Sequence, residues 1–222
     1  MRVWNMRPSQ GQTYTYPELG ERWMSLTTHD SPEDRFGPMV VEWRSNRVKL
    51  GDFIWPQSYV DIVARKPIAQ SLIEHFKGAR AIDVEMRTRS KSYDADFWSN
   101  NSYSVIWIEK LVSIDEKRST FSHFASSHGR QSVKLVGVEG YYDTAFNDFS
   151  TFTNATMIGP HCFHVSRTPG MGVYVDEKLL DGADFFRIRQ LPMILLCTDR
   201  VADAIRSKGY TNIDLLEYGE TF

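Results

Sequence analysis

The sequence predicts an α+β fold with mixed or antiparallel sheets and few helices. Most apolar segments are short and contain β-branched or aromatic residues, which favours strands. Helical apolar periodicity occurs in two places, and both times it lies within the same order of elements, strand, strand, helix and strand. With 222 residues, of which 41% are hydrophobic, the chain is long enough for one large domain or two small ones.

The first copy of this order, which we name module one, covers about residues 40–86. It contains four predicted strands, at 39–43, 53–55, 60–64 and 81–86. Pro67 suits the first turn of a helix, because proline needs no amide partner there. The apolar residues that follow lie on one helical face: Ile68, Leu72, Ile73 and Phe76. Gly78 is the expected C-terminal cap of this helix.

The second copy, module two, covers about residues 172–218. Its predicted strands are 172–175, 185–188, 193–196 and 212–218. Thr198 is the expected N-cap of its helix and Gly209 the expected C-terminal cap. Positions in the two modules match at a nearly constant spacing: Asp52 with Asp184, Leu72 with Ile205, Gly78 with Gly209, and Ile82 with Ile213. We interpret this match as an internal duplication, and the alternative is convergence of two units that need similar residues.

The rest of the chain shows weaker patterns. Frequent proline and glycine predict an irregular N-terminal arm at 1–38, packed on a domain at 39–222. Between the modules, two further strands are predicted at 102–108 and 132–138. Two polar stretches, at 87–96 and 122–130, are predicted to be exposed loops, where local recognition is most often found.

Composition excludes several classes of function. The net charge of −2 and the pI near 6.3 argue against a bulk electrostatic grip on nucleic acid or anionic lipid. Cys162 and Cys197 are too few for a disulfide framework or a four-thiolate zinc site. There is no apolar run of signal-peptide or transmembrane length. We therefore expect a cytoplasmic protein that contacts neither a membrane nor nucleic acid.

Three groups of residues could carry chemistry, and each has a simpler explanation. His161 and His164 have the spacing of possible metal ligands, but in an extended segment they point to different faces. His123 and His128 flank Ser126-Ser127, but nothing supplies a nucleophile's tight turn or an orienting acid. Asp83 and Glu85 share one face of a strand, where the polar half of an amphipathic pattern already explains them. The sequence thus predicts no catalytic residue, no metal and no cofactor.

Several separated segments together resemble immunity family eleven of the bacterial polymorphic-toxin systems. The segment 50–53 follows Trp43 as the family's Gly-Asp-Phe segment follows a tryptophan. The strand at 103–108, with Asp115 and Ser119 downstream, resembles the family's central strand. The most specific likeness is at 175–188, which includes Asp184-Phe-Phe-Arg187, and at 197–201. Together these segments cover about residues 40–218.

This resemblance implies a protein that binds a cognate toxin encoded by an adjacent gene and occludes the toxin's active site, without turnover of its own. Candidate toxin-binding residues are the acidic and aromatic side chains of the unmatched arm and loop: Asp30, Glu33, Asp34, Asp94, Asp96 and Trp98. Trp98 could be an interface anchor or could pack back on its own domain. The alternative function is an enzyme or ligand-binding domain whose site combines distant residues, namely Asp83, Glu85, His161 and His164.

Overall fold

The structure is a computed structural model. It describes residues 1–9, 18–19, 39–43, 50–55, 62–88, 95–115, 118, 121–124, 144–146, 162–164, 173–189 and 191–222.

Strands dominate the described residues. The helices are α1 (Lys66–His75), α2 (Ala95–Asn100), α3 (Glu177–Leu180) and α4 (Asp199–Lys208). The strands are β1 (Arg2–Arg7), β2 (Glu18–Leu19), β3 (Met39–Trp43), β4 (Phe53–Ile54), β5 (Ile62–Arg65), β6 (Ala79–Thr88), β7 (Tyr103–Ile108), β8 (Leu111–Val112), β9 (Phe121–Phe124), β10 (Thr144–Phe146), β11 (Cys162–His164), β12 (Val173–Val175), β13 (Phe185–Ile188), β14 (Leu191–Thr198) and β15 (Asp214–Thr221). The predicted α+β class, with mixed sheets and few helices, is confirmed. In this part of the chain, no helix has the length and apolar character needed to cross a bilayer.

Five strands of each six-stranded sheet share one arrangement. The first sheet has the order β2-β3-β6-β7-β5-β4, and the second has the order β12-β15-β1-β14-β13-β8. In β3-β6-β7-β5-β4 and in β12-β15-β1-β14-β13, the first pair is parallel and the next three pairs are antiparallel. The sixth strand differs, since β2 pairs antiparallel with β3 and β8 pairs parallel with β13 at the opposite edge. This common order is what a duplication predicts, and the duplication itself stays a prediction. A third sheet has three antiparallel strands, in the order β10-β9-β11.

The strand pairing corrects the expected match between the two modules after the helix. Val63 and Leu196 keep the same spacing as Leu72 and Ile205, and they pair with Val105 in β7 and Asn5 in β1. On their other side, Val105 pairs with Ile82 and Asn5 pairs with Leu216. Ile82 therefore corresponds to Leu216, and the expected match with Ile213 is wrong. The cause is the longer connection between α4 and β15, which shifts the second module relative to the first.

The glycines after the two helices are also not equivalent. Gly209 caps α4 directly, as expected, in the left-handed conformation with φ of 62°. In contrast, the C-terminal cap of α1 is Phe76, whose N–H donates to the carbonyl of Leu72, and Gly78 follows in the turn before β6. The expected cap at Gly78 is therefore wrong.

The first residues of the arm expected over 1–38 form a strand, which corrects that part of the prediction, while residues 10–17 and 20–38 lie outside the described residues. Arg2–Arg7 forms β1, which lies between β14 and β15 in the middle of the second sheet. Val3, Trp4 and Met6 are buried. Both faces of β1 are covered, so the segment lacks the apolar and polar alternation that identifies a half-buried strand.

Two expected loops also contain regular structure. At the two ends of the loop expected at 87–96, β6 continues to Thr88 and α2 begins at Ala95, and residues 89–94 lie outside the described residues. The side chains of Ser99 and Asn100 donate hydrogen bonds to the carbonyl of Asp96. Local propensity alone does not reveal these bonds. In the expected loop at 122–130, β9 occupies its first residues. The predicted strand at 132–138 lies outside the described residues.

The second sheet curls until its ends meet. β8 is at one end of the strand order and β12 at the other. Just after β8, the N–H of Asp115 donates a 2.8 Å hydrogen bond to the carbonyl of Tyr174 in β12. The two ends of the sheet therefore lie close together, and the core cluster packed on this sheet contains Val3, Val112, Ile114, Val173, Val175, Leu180, Phe186, Ile188, Leu196 and Tyr218.

The largest core cluster lies between the two six-stranded sheets and includes both helices. From α1 it takes Ala69 and Leu72, and from α4 it takes Val201, Ala202 and Ile205. Of the apolar face predicted for α1, Leu72 is buried in this cluster, and Ile68, Ile73 and Phe76 pack against it partly buried. The residues from α4 are the apolar face that its sequence predicts. A separate cluster on the other face of the first sheet contains Val41, Ile54, Val63, Ile82, Tyr103, Val105 and Trp107.

The two modules contact each other reciprocally. The carbonyl of Lys77, after α1, accepts hydrogen bonds from the N–H groups of Asp184 (2.8 Å) and Phe185 (2.9 Å) at the start of β13. The carbonyl of Thr211, after α4, accepts a bond from the N–H of Phe53 in β4 (3.2 Å). In each module, the residues after the helix therefore bond the start of a strand in the other module.

Gly78 permits this contact, and its substitution provides a test. Gly78 has φ of 98°, and a Cβ there would overlap the carbonyl oxygen of Phe185. Gly182 also has positive φ, 74°, but its Cβ would meet open space. We expect Gly78→Ala to lower the free energy of unfolding by about 3–5 kcal/mol and Gly182→Ala by about 1–2 kcal/mol, measured by chemical denaturation. Equal losses would show that Gly78 has no special role between the modules.

Strand β1 is held to α4 by one carboxylate. Asp199 accepts hydrogen bonds from the indole Nε1 of Trp4 (2.7 Å) and the N–H of Arg2 (2.8 Å). The guanidinium of Arg206 lies 3.9 Å from the centre of the Trp4 ring. Burial raises the pKa of Asp199, but the bonds from Trp4 and Arg2 outweigh it and hold this pKa below its ordinary value.

This lowered pKa predicts a dependence of stability on pH. A carboxyl group whose pKa is lower in the folded state stabilises the fold above its unfolded pKa, and this stabilisation disappears as the pH falls through the folded value. We therefore expect Asp199→Asn to cost stability near neutral pH and to cost progressively less below about pH 4. Denaturation at several pH values measures this, and a cost that does not change with pH would contradict it.

Candidate binding site

A cavity of about 690 Å³ opens beside α3 in module two. It is formed by α3 and the turn that follows it, by the start of β13, by the junction of β14 with α4, and by the ends of β1 and β15. Its lining residues are Met1, Glu177, Lys178, Leu180, Asp181, Gly182, Ala183, Asp184, Thr198, Arg200 and Phe222.

Helix α3 forms one wall because its short sequence is closed at both ends. Asp176 is the N-cap and accepts a 2.9 Å hydrogen bond from the N–H of Lys178. Asp181 is left-handed, with φ of 52°, and Gly182 follows with φ of 74°, so the chain turns sharply into β13. Of the two leucines in this single turn, Leu180 is buried in the core cluster of the second sheet and Leu179 is exposed.

Asp184 forms the polar floor of the cavity. Its carboxylate accepts hydrogen bonds from the hydroxyl of Thr198 (2.9 Å), from Arg200 Nη1 (3.1 and 3.2 Å) and from the N–H of Lys77 (3.3 Å). The side chain of Asp184 is 4% exposed, whereas that of Arg200 is 64% exposed. Thr198 is the N-cap residue by position, as predicted, but its hydroxyl bonds Asp184 and makes no cap to the helix.

The rim of the cavity combines apolar and charged side chains. Among the described residues, the exposed large hydrophobic side chains are Met1, Leu179 and Phe222. Met1 and Phe222 line the cavity, and Leu179 lies in α3 between two lining residues. Charged neighbours of both signs surround them: Glu177, Lys178, Asp181 and Arg200. Apolar surface within a polar rim is typical of a protein-binding surface.

The predicted toxin-binding residues lie elsewhere or outside the described part of the chain. Asp96 is exposed on α2. Trp98 is half-buried against the core cluster on the first sheet, with its ring 5.0 Å from that of Phe97. This packing favours the alternative in which Trp98 stabilises its own domain. The other candidates are outside the described residues: Asp30, Glu33, Asp34 and Asp94.

Sequence reasoning missed the cavity, although one local signal was present. The segment 176–182 combines a capping aspartate, a pair of leucines and an Asp-Gly turn. In so short a helix, adjacent leucines point to different sides, so one of them is left exposed. The partners of Asp184 could not be predicted, since Lys77 comes to it through the packing of the two modules and Arg200 through the fold of module two.

The carboxylates suggested for acid and base chemistry are each paired with a neighbouring cation. Asp83 bonds Lys66 Nζ at 2.6 Å, and Glu85 bonds Arg87 Nε at 2.7 Å. The hydrogen bond from Lys66 lowers the pKa of Asp83 despite partial burial, and that from Arg87 lowers the pKa of Glu85. Both groups therefore stay ionised near neutral pH, which is unfavourable for a general acid.

The remaining candidates give no cluster in the described residues. His164 in β11 pairs in register with Ser122 in β9, next to His123. His161, His128, Ser126 and Ser127 lie outside the described residues. Within the described ranges, no three His, Cys, Asp or Glu side chains could hold one metal ion. Cys197 is buried, and burial raises the pKa of its thiol, so it remains protonated and unreactive.

A scan of the chain against protein-family models gives no match, and a comparison with curated proteins finds no relative.

The buried carboxylate at the cavity floor gives a prediction about stability. Asp184→Asn places an amide where the hydroxyl of Thr198 and the guanidinium of Arg200 both need an acceptor. We expect the free energy of unfolding to fall by about 3 kcal/mol, because the amide leaves one acceptor oxygen for the hydroxyl of Thr198 and the N–H of Lys77 and removes the charge that pairs with Arg200. The control is Asp52→Asn, since the Asp52 side chain also bonds across modules but is 28% exposed, and should cost about 1 kcal/mol. A larger cost at Asp52, measured by urea denaturation, would contradict this assignment.

Proposed function

We propose that this protein is an immunity protein that binds a cognate bacterial toxin, encoded by an adjacent gene, and neutralises it by covering the toxin's active site. The observation that carries the proposal is the convergence of exposed large apolar side chains at one cavity, beside charges of both signs. Binding of this kind requires complementary shape, a few apolar anchors and matched charges. Such a protein would act in the cytoplasm of the producing cell.

The segments that resemble immunity family eleven bear on the fold of the protein more than on its toxin-binding surface. Its Gly-Asp-Phe segment at 51–53 and its Asp-Phe-Phe-Arg segment at 184–187 lie where the two modules contact each other. Residues at such positions are constrained by packing, whichever toxin is bound. The toxin-binding surface is therefore expected on side chains that this resemblance does not include.

The alternative, an enzyme or ligand-binding domain with a site built from distant residues, has less support. Of its proposed residues, Asp83 and Glu85 are exposed on β6 and are each neutralised by a cation beside them. No described feature brings them to a cavity. The binding proposal uses the cavity beside α3, where apolar and charged groups do lie together.

The decisive experiment is co-expression with the product of the adjacent gene. We expect the protein to rescue growth of cells that express the toxin, and the purified proteins to form a one-to-one complex by size-exclusion chromatography. If the protein neither rescues growth nor binds its neighbour's product, the proposed function is wrong.

A substitution on the exposed side of α3, beside the cavity, tests the assigned surface. Leu179→Glu puts a charge on α3 at a position that is 46% exposed, so the fold should be retained. We expect the dissociation constant of the toxin complex, measured by calorimetry, to rise at least about tenfold, as for a lost apolar anchor. The matched control is Gln70→Glu, which adds the same charge on the exposed face of α1. If both variants bind the toxin like the wild type, the surface lies elsewhere.

A further inference from the structure

Helix α3 presents an apolar side chain on a rigid turn. Leu179 is 46% exposed, although the next residue, Leu180, is only 2% exposed in the core cluster of the second sheet. The turn is held by backbone hydrogen bonds at both ends, from the N–H of Leu179 to the carbonyl of Asp176 (2.9 Å) and from the N–H of Ala183 to the carbonyl of Leu180 (2.9 Å). A side chain held in this way loses little entropy on binding, which favours its use as a contact.

The carboxylates around Leu179 differ from most others on the described surface. Most described carboxylates are paired with a neighbouring arginine or lysine: Asp52, Asp83, Glu85, Glu109, Asp115, Asp184, Asp199, Asp203 and Glu217. In contrast, Asp176, Glu177 and Asp181 stand within three residues of Leu179, and none of them has an ion pair among the described residues. Three further carboxylates without one lie on other elements, Glu74 on α1, Asp96 on α2 and Glu220 on β15.

The negative charge at α3 is therefore not neutralised by the part of the chain that the structure describes. Lys178 is the basic residue of the segment 176–184, and it forms an ion pair with none of the three carboxylates in the described structure. Uncompensated charges of one sign create a local potential that attracts a partner of the opposite sign.

Asp181 lies where a carboxylate does not favour stability. It is the C-cap of α3, in the left-handed conformation with φ of 52°, and the carbonyl groups at this end of a helix oppose a negative charge. Asparagine adopts the left-handed conformation as readily and carries no charge. Within the described ranges, the side chain of Asp181 has neither a hydrogen bond nor an ion pair to offset this.

Glu177 stands at the opposite end of the same helix. Its Oε2 accepts a 3.3 Å hydrogen bond from the hydroxyl of Thr221, which ties the side chain to β15. A four-residue helix is about 6 Å long, so one short segment of a partner can reach Glu177 and Asp181 together. Leu179 lies between them in the sequence and is exposed as they are.

Resting on the proposed function, we propose that α3 binds a basic surface of the toxin. Leu179 contacts an apolar part of that surface, and Glu177 and Asp181 accept charge-assisted hydrogen bonds from lysine or arginine side chains beside it. The uncompensated carboxylates attract this surface and orient it before the apolar contact forms, so they act mainly on the rate of association.

The test uses variants that remove charge and keep the shape of the side chain. Glu177→Gln and Asp181→Asn are combined in one variant of the full-length protein. The matched control combines Glu74→Gln on α1 with Asp203→Asn on α4, which removes the same charge at two exposed positions elsewhere. Association with the toxin is followed by stopped-flow fluorescence at low and at physiological salt. We expect the α3 variant to associate at least about fivefold more slowly at low salt and with a weaker dependence on salt, and the control to stay within about twofold of the wild type.

Urea denaturation separates a binding role from a structural one. Asp181→Asn alone removes an unfavourable charge and keeps the left-handed turn, so we expect it to unfold at the same urea concentration as the wild type or at a higher one. The same variant should nevertheless associate with the toxin more slowly. A variant that loses stability together with binding would show a structural role for Asp181 and overturn this inference.

The outcomes separate this inference from the proposed function. If the wild type neutralises the toxin and the α3 variant associates at the wild-type rate, the proposed function stands and this inference is wrong. Faster association of the α3 variant would indicate an acidic toxin surface and would overturn the inference as well. If the wild type neither binds nor neutralises the toxin, the proposed function and this inference are both wrong.

Discussion

The reciprocal contact between the two modules is the constraint on which the rest of the structure depends. The carbonyl of Lys77, after α1, bonds the start of β13, and the carbonyl of Thr211, after α4, bonds the start of β4. The carboxylates of Asp52 and Asp184 hold the same two junctions through side chains. These bonds place α1 and α4 together, and their apolar faces form the central core between the sheets. Neither module has this core alone, because half of the apolar surface comes from the other.

The cavity follows from how the second sheet is completed. Its middle strand, β1, comes from the start of the sequence, whereas β7 in the first sheet follows β6 through α2. The buried side chains of β1 and the bonds of Asp199 hold this strand in the sheet, and Met1, just before it, lines the cavity together with Phe222, just after β15. A surface of this origin has a rigid floor, Asp184 with its donors, and an apolar rim. Rigid, preformed surfaces lose little entropy on binding, which favours tight complexes.

Sequence reasoning recovered what depends on local pattern and missed what depends on pairing at a distance. The strands of both modules, the buried strand β7 and both amphipathic helices were predictable, because periodicity and caps report local structure. Strand β1 was missed because both of its faces are buried and its partners lie at the other end of the chain. Asp184 could be recognised as part of a motif, but its role could not, since its donors Lys77 and Arg200 are brought to it by the fold. The cavity could not be predicted either, since its lining residues come from both ends of the sequence and lie together only in the fold.

Hydrogen exchange of backbone amides tests the central claim, that β1 completes the second module as firmly as β7 completes the first. If it does, the amides of Trp4, Asn5 and Met6 exchange as slowly as those of Ser104, Val105 and Ile106, and all of them exchange only through global unfolding. The account is contradicted if the β1 amides exchange much faster than those of β7 while β14 and β15 remain protected, because the second module would then be stable without its N-terminal strand.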